Sequence, residues 1–237
     1  MVALINRAGG SAAFGRWAAS HIHSKAGALL ATFALGVLIF IDDYFNCLTV
    51  GSVMTPVTDS QRISRVKLAY LIDATAAPIC MIAPISSWAA AVGSSLPESS
   101  TMDGFSLFMK TIPMNLYAIL TLIFLVWLMA ADFDFAAMGK YAREHKDDDL
   151  SHLEENYVVG GAGKVYDLIV PILVLIFFSI LGMMYTGGFF EGVDFATAVG
   201  ENPVGGLCIG ATVALCVAGA MFLPRGLTTL SGFVESV

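Results

Sequence analysis

The chain has 237 residues, of which 57% are hydrophobic and 13% charged, about half the charged share of an average soluble domain. Its net charge is −7 and it has no basic patch, which excludes nucleic-acid binding, because neutralising phosphates takes clustered lysine and arginine. With a mean hydropathy of +0.77 and several runs near the roughly 20 residues that cross a bilayer as a helix, it reads as an all-α polytopic membrane protein. The lipid bilayer is the expected surrounding, and some of the helices are expected to be discontinuous or re-entrant.

In chain order, residues 1–25 form a cytoplasmic N-terminal segment carrying Arg7, Arg16 and Lys25, without the uninterrupted apolar stretch of a secretory signal. Residues 26–96 hold a motif-bearing hairpin and a broken helix. The first apolar run, 26–41, is short for a crossing and ends at the adjacent acids Asp42 and Asp43. The stretch beyond it contains Asn46, Gly51 and Pro56, which interrupt its apolar pattern. It reads either as the return arm of a re-entrant hairpin or as the second half of a discontinuous helix. The next run, 67–96, is longer than a simple span but contains Pro78 and Pro84. Proline removes a backbone donor and clashes with the preceding turn, so a kinked or unwound helix with freed carbonyls is expected. Such backbone is tolerated at membrane depth only against protein or water.

Residues 97–131 read as an extracytoplasmic loop followed by a span from 113 to 131. Residues 132–164 read as an acidic cytoplasmic loop, and 165–237 as two spans, 165–185 with a kink at Pro171 and 202–224, plus a short tail. Glycine and alanine spacing in the last span favours close helix contact. Lysine and arginine set orientation. Arg62, Arg65 and Lys67 lie on the same side as the N-terminus, which favours the hairpin, and the loop with Lys140, Arg143, Lys146 and Lys164 falls on that side too.

Carboxylates at membrane depth are expensive and usually functional. Asp42, Asp43 and Asp73 are therefore candidates for a Na+ or proton pathway. An ionised aspartate supplies charge and oxygen to a hard cation, and burial or like charge raises its affinity for a proton. The competing readings are that Asp42 and Asp43 cap a short helix, and that Asp73 pairs with Arg62, Arg65 or Lys67. Ser86 and Ser87 after Pro84, with Asn46 and Thr49 on the hairpin, are neutral oxygen candidates; Thr75 reads as a hydroxyl closing on its own helix. Pro78, Pro84 and Pro171 are candidate hinges. The four cysteines form no CxxC pair and read as small buried hydrophobes. His21, His23, His145 and His152 build no metal site, and no cofactor is indicated. No phosphate loop, dinucleotide fingerprint or serine nucleophile elbow occurs, which argues against an enzyme.

FIDDYFN, TPVTD, ISRVKLAYLIDATAAP and PISSW, followed by TIPMNLYAILTLIFLVWLMAADFDFAAM, resemble the NhaC-type sodium/proton antiporters. The resemblance implies a secondary transporter of the cytoplasmic (inner) membrane, many members of which exchange Na+ for H+. It carries Asp42, Asp43 and Asp73 over as acidic motif positions and Asn46, Thr49, Asp59, Ser86 and Ser87 as polar ones. Members of the family are longer, so it also implies a partial-length chain that works with a separately encoded or missing half, or as a homo-oligomer. A Na+/H+-coupled organic-acid exchanger of malate or lactate type and a truncated, non-transporting membrane subunit are the alternatives.

Overall fold

The computed structural model describes residues 1–97, 102–131, 133–144 and 163–236. Among these residues the secondary structure is helical, without strands. The chain forms α1 (Val2–Arg7), α2 (Gly10–His21), α3 (Lys25–Leu38), α4 (Asp43–Ser60), α5 (Arg65–Cys80), α6 (Ser87–Ser94), α7 (Gly104–Thr111), α8 (Leu116–Ala131), α9 (Ala136–Glu144), α10 (Tyr166–Thr186), α11 (Phe195–Glu201), α12 (Pro203–Phe222) and α13 (Leu230–Glu235). The acidic run 145–162, with His145 and His152, lies outside the described residues. Three stretches are long and apolar enough to cross a membrane: Leu116–Glu144, Tyr166–Thr186 and Val204–Phe222. The first takes in α8 and α9.

Helix starts follow from side-chain caps. Ser24, Ser64 and Ser86 accept hydrogen bonds from the backbone N–H groups of Gly27, Lys67 and Ala89, satisfying donors that a first turn leaves unpaired. α7 starts at Asp103, whose carboxylate accepts from the Ser106 N–H at 2.8 Å. Hydrogen bonds from the Ser106 amide and hydroxyl hold the Asp103 carboxyl below its usual range. A lowered folded-state pKa means that the cap is present at neutral pH and is lost as pH falls through that lowered value. The protection of the Ser106 amide, its exchange rate relative to that of an unprotected amide at the same pH, should fall on acidification through that value, and in Asp103→Ala it should be low at every pH.

α3 and α4 run antiparallel. At one end Asn46 Nδ2 donates to the carbonyls of Gly36 and Ile39, at 2.7 and 2.9 Å. At the other, Gln61 Nε2 donates to the Ile22 carbonyl at 3.2 Å. The segment is thus a hairpin with its tip at 39–42, not two halves of one helix. α4 runs unbroken through Gly51 and Pro56, contrary to the interruption expected there. The physical reason is tertiary: α2 packs on this stretch, and a Cβ on Gly15 would sit 2.7 Å from Pro56 Cγ. Contact with α2 offsets the backbone hydrogen bond that proline forfeits, a loss of about 3 kcal/mol in an unsupported helix. Residues 1–25 are likewise folded into α1 and α2, with Leu4, Ile5 and Ala8 buried in the main core beside Val53, Val57 and Phe222.

α10 also continues through its proline, Pro171. It packs closely on α12. Cβ atoms on Gly206 and Gly210 would meet Met183 N and Ser179 N, each at 2.5 Å. These glycines stand four apart and let two backbones approach, which drives helix association in lipid. Gly210→Ala should therefore lower stability by about 1–3 kcal/mol through overpacking, measurable as a lower melting temperature in detergent. The outer faces of α8 and α10 expose Leu120, Ile123, Val126, Leu173 and Phe177, as lipid contact requires. Cys80 is buried, but Cys208 and Cys216 are exposed. The expectation of four buried cysteines fails for these two because α12 turns its outer side away from α10.

Candidate functional site

Two helix interruptions meet. α3 ends at Leu38 and α4 begins after Asp42, which leaves 39–42 non-helical; α5 ends at Cys80 and α6 begins at Ser87. Pro84 disfavours helix at the residue before it, so the second break falls where the sequence places it. The tip of the hairpin docks on this break. The Ser87 N–H donates to the Ile41 carbonyl at 2.7 Å, and Cys80 Sγ donates to the Phe40 carbonyl at 3.2 Å. Unwound backbone of one segment thus supplies partners to unwound backbone of the other, the condition under which such segments persist at membrane depth.

Two of the carboxylates stand at this junction. Asp42 caps α4 by accepting from the Phe45 N–H at 2.8 Å, and Asp43 Oδ1 accepts from the Tyr44 N–H at 3.1 Å. Both are half-buried at the N-terminal end of α4. Asp73 lies on α5 one helix away. It is exposed although its neighbours Leu71, Ile72, Ala74, Thr75 and Ala76 are buried. Cys47, on α4 between them, lies within electrostatic reach of all three acids. Among the described residues, however, no three His, Cys, Asp or Glu side chains converge as metal ligands.

The neutral candidates divide. Ser86 is engaged by the fold: its hydroxyl donates to the Cys80 and Ala83 carbonyls at 2.7 and 3.1 Å, freed by the break, and accepts from Ala89 N–H. Ser87 joins the junction through its backbone N–H. Thr75 Oγ1 donates to the Leu71 carbonyl at 2.6 Å, an ordinary helix hydroxyl. Asn46 and Thr49 differ. Each is 1% exposed, and neither Asn46 Oδ1 nor Thr49 Oγ1 has a hydrogen-bond partner among the described residues. A buried acceptor left unmatched is costly. Both stand on α4, one turn apart, and Asn46 Oδ1 lies near the space over Gly36 that faces Thr75. A small, partly open pocket adjoins the second break, lined by Pro84, Ser86, Ala90, Phe105 and Met183; it is mainly apolar and does not include the acids.

The basic residues near Asp73 are engaged by other acids. Arg65 pairs with Asp59 at 2.7 Å and Lys67 with Asp134 at 3.0 Å. The sequence reading placed Lys67 in a cytoplasmic loop; it is in fact 3% exposed. Its partner Asp134 sits in the turn between α8 and α9, between Phe133 and Phe135. Phe135 meets Tyr70 and Phe124 edge-on, at 5.4 and 5.6 Å. A third pair was also missed. Asp167, fully buried at the start of α10, accepts from Arg225 and from the Lys164 N–H at 2.7 Å. A lone acid at the head of an apolar run was its signal in the sequence.

Helices interrupted where they meet, with Asp42 and Asp43 at the junction and three stretches able to cross a bilayer, make this an all-α membrane protein. The chain belongs to the Na+/H+ antiporter family, whose family model matches residues 79–221. That stretch includes Ser86 and Ser87 but not Asp42, Asp43, Asn46, Thr49 or Asp73. An uncharacterised protein of Haemophilus influenzae is 39% identical over 193 residues, covering 79% of this chain and 37% of the relative. The chain thus spans little more than a third of the length of that relative. No solved structure matches it.

Proposed function

We propose that the chain forms part of the ion pathway of an NhaC-type Na+/H+ antiporter of the cell membrane. The observation that carries this reading is the docking of the 39–42 and 81–86 breaks onto each other, with Asp42 and Asp43 at the tip. Sodium and a proton compete for the same carboxylates, because protonation removes the charge that holds the cation. Asp42, Asp43 and Asp73 alternate between these states, while Asn46 Oδ1 and Thr49 Oγ1 supply neutral oxygens to the dehydrated ion. Ser86 and Ser87 act on the backbone of the break and shape the path without ligating. Pro78 and Pro84 flank the part of the path that moves. Engagement of Arg65, Lys67 and Arg225 by acids favours a cation over an organic anion as cargo, since an anion needs uncommitted positive charge.

The test is Na+-dependent proton movement in sealed membrane vesicles from the native host, comparing the natural chain with the triple variant Asp42→Asn/Asp43→Asn/Asp73→Asn. Flux should fall to background in the triple variant. Unchanged flux, with membrane insertion confirmed, would sink the carboxylate mechanism.

A further inference from the structure

The exposed faces of the helices differ in chemistry. On α8, Leu116, Leu120, Ile123, Val126 and Trp127 point outward, and on α10 Ile169, Leu173 and Phe177 do. Those surfaces suit acyl chains. The outer face of α4 and α5 does not. On α5 it runs through Val66, Ala69 and Asp73, and on α4 through Tyr44, Leu48, Ser52 and Thr55, all exposed or half-buried. The two stripes adjoin, since Cys47 of α4 lies within reach of Asp73 and a Cβ on Gly51 would sit 3.7 Å from Ile72.

Depth makes this face anomalous. Asp73 lies eight residues past Arg65, the first residue of α5, so about 12 Å along the helix axis. Half of a hydrocarbon core is about 15 Å. With Arg65 near the headgroups, Asp73 is close to mid-membrane. A carboxylate facing lipid there is expensive and normally turns to protein or to a water-filled cavity. The nearby bases do not rescue it, because Arg65 and Lys67 are engaged by Asp59 and Asp134.

We propose that the Asp73 face of α4 and α5 is the docking surface for a second helical bundle of the same transporter. That bundle corresponds to the part of the Haemophilus relative that this chain does not match, some 63% of the relative by difference from the 37% covered. It covers Asp73 with neutral hydrogen-bonding groups, and the ion path runs along the seam rather than within this chain alone. This placement explains why no complete ligand cluster forms among the described residues. It rests on the transporter reading but not on the identity of the transported ion.

Photo-crosslinking tests it without measuring flux. Benzoylphenylalanine is placed singly at Leu48 and Ala69, and at the lipid-facing controls Leu120 and Phe177, in the chain expressed in its native host. After irradiation of intact membranes, adducts are identified by mass spectrometry. Adducts at Leu48 and Ala69, absent at the controls, should contain peptides from outside residues 1–237 that align with the unmatched part of the relative. Adducts to a second copy of residues 1–237 would overturn the proposal in favour of a homodimer. Lipid adducts at all four positions would overturn it outright. Because transport is not the readout, loss of the carboxylate mechanism and loss of this interface are distinguishable.

Discussion

Lys67→Met is expected to destabilise the folded chain by about 3 kcal/mol, at the lower end of what breaking a buried ion pair costs. The ammonium is almost wholly buried and lies 3.0 Å from Asp134 Oδ1, while the Asp134 side chain keeps 31% of its exposure. Removing the lysine leaves a carboxylate between Phe133 and Phe135 that only partial solvation stabilises. Replacing both members, as Lys67→Met/Asp134→Leu, should recover most of the loss, because an apolar pair of similar volume is often as stable as the ion pair it replaces. Thermal unfolding in detergent, followed by tryptophan fluorescence, reads both variants. A double variant as unstable as the single one would show that the two side chains are not coupled. The pair also ties the start of α5 to the turn between α8 and α9, so its loss should loosen the end of α5 remote from the junction.

How much of this was legible in the sequence follows the range of the interactions. The breaks at Asp42 and Pro84, the hairpin and the close contact through Gly206 and Gly210 arise from local residue chemistry or short spacings, and the sequence carries their signals. The serine caps at Ser64 and Ser86 belong to the same group. What it does not carry is pairing across the chain. Nothing near Pro56 announces that Gly15, some forty residues earlier, packs on it and keeps α4 helical. Nothing near Lys67 announces Asp134. The cationic run 62–67 looks like a solvated loop because composition alone cannot distinguish a residue that orients the chain from one the fold buries. The candidate acids were legible as acids, but their division of labour was not. Asp42 caps a helix and stands at the junction at once, and Asp73 is exposed only because of how α4 and α5 are packed.

Asn46 and Thr49 should separate stability from transport. Asn46→Ala removes two hydrogen bonds, to the Gly36 and Ile39 carbonyls, and leaves acceptors behind in a buried place. At about 1–3 kcal/mol for each buried group left unmatched, a destabilisation of about 2–4 kcal/mol is expected, with the hairpin tip losing its anchor. Thr49→Val should do the opposite. Its hydroxyl is buried without a partner, so an isosteric apolar side chain removes a desolvation penalty and should raise stability by about 1 kcal/mol. A merely structural threonine would leave transport intact or improved. If Thr49 Oγ1 supplies an oxygen to the dehydrated cation, the more stable variant should instead need a higher Na+ concentration for half-maximal proton movement, with little change in the pH dependence, because protons bind the carboxylates and not the hydroxyl. Thermal unfolding beside Na+ titration of vesicle flux reads this split directly. A Thr49→Val chain that is both more stable and unchanged in its Na+ requirement would remove Thr49 from the ion path and leave the carboxylates to bind the cation without it.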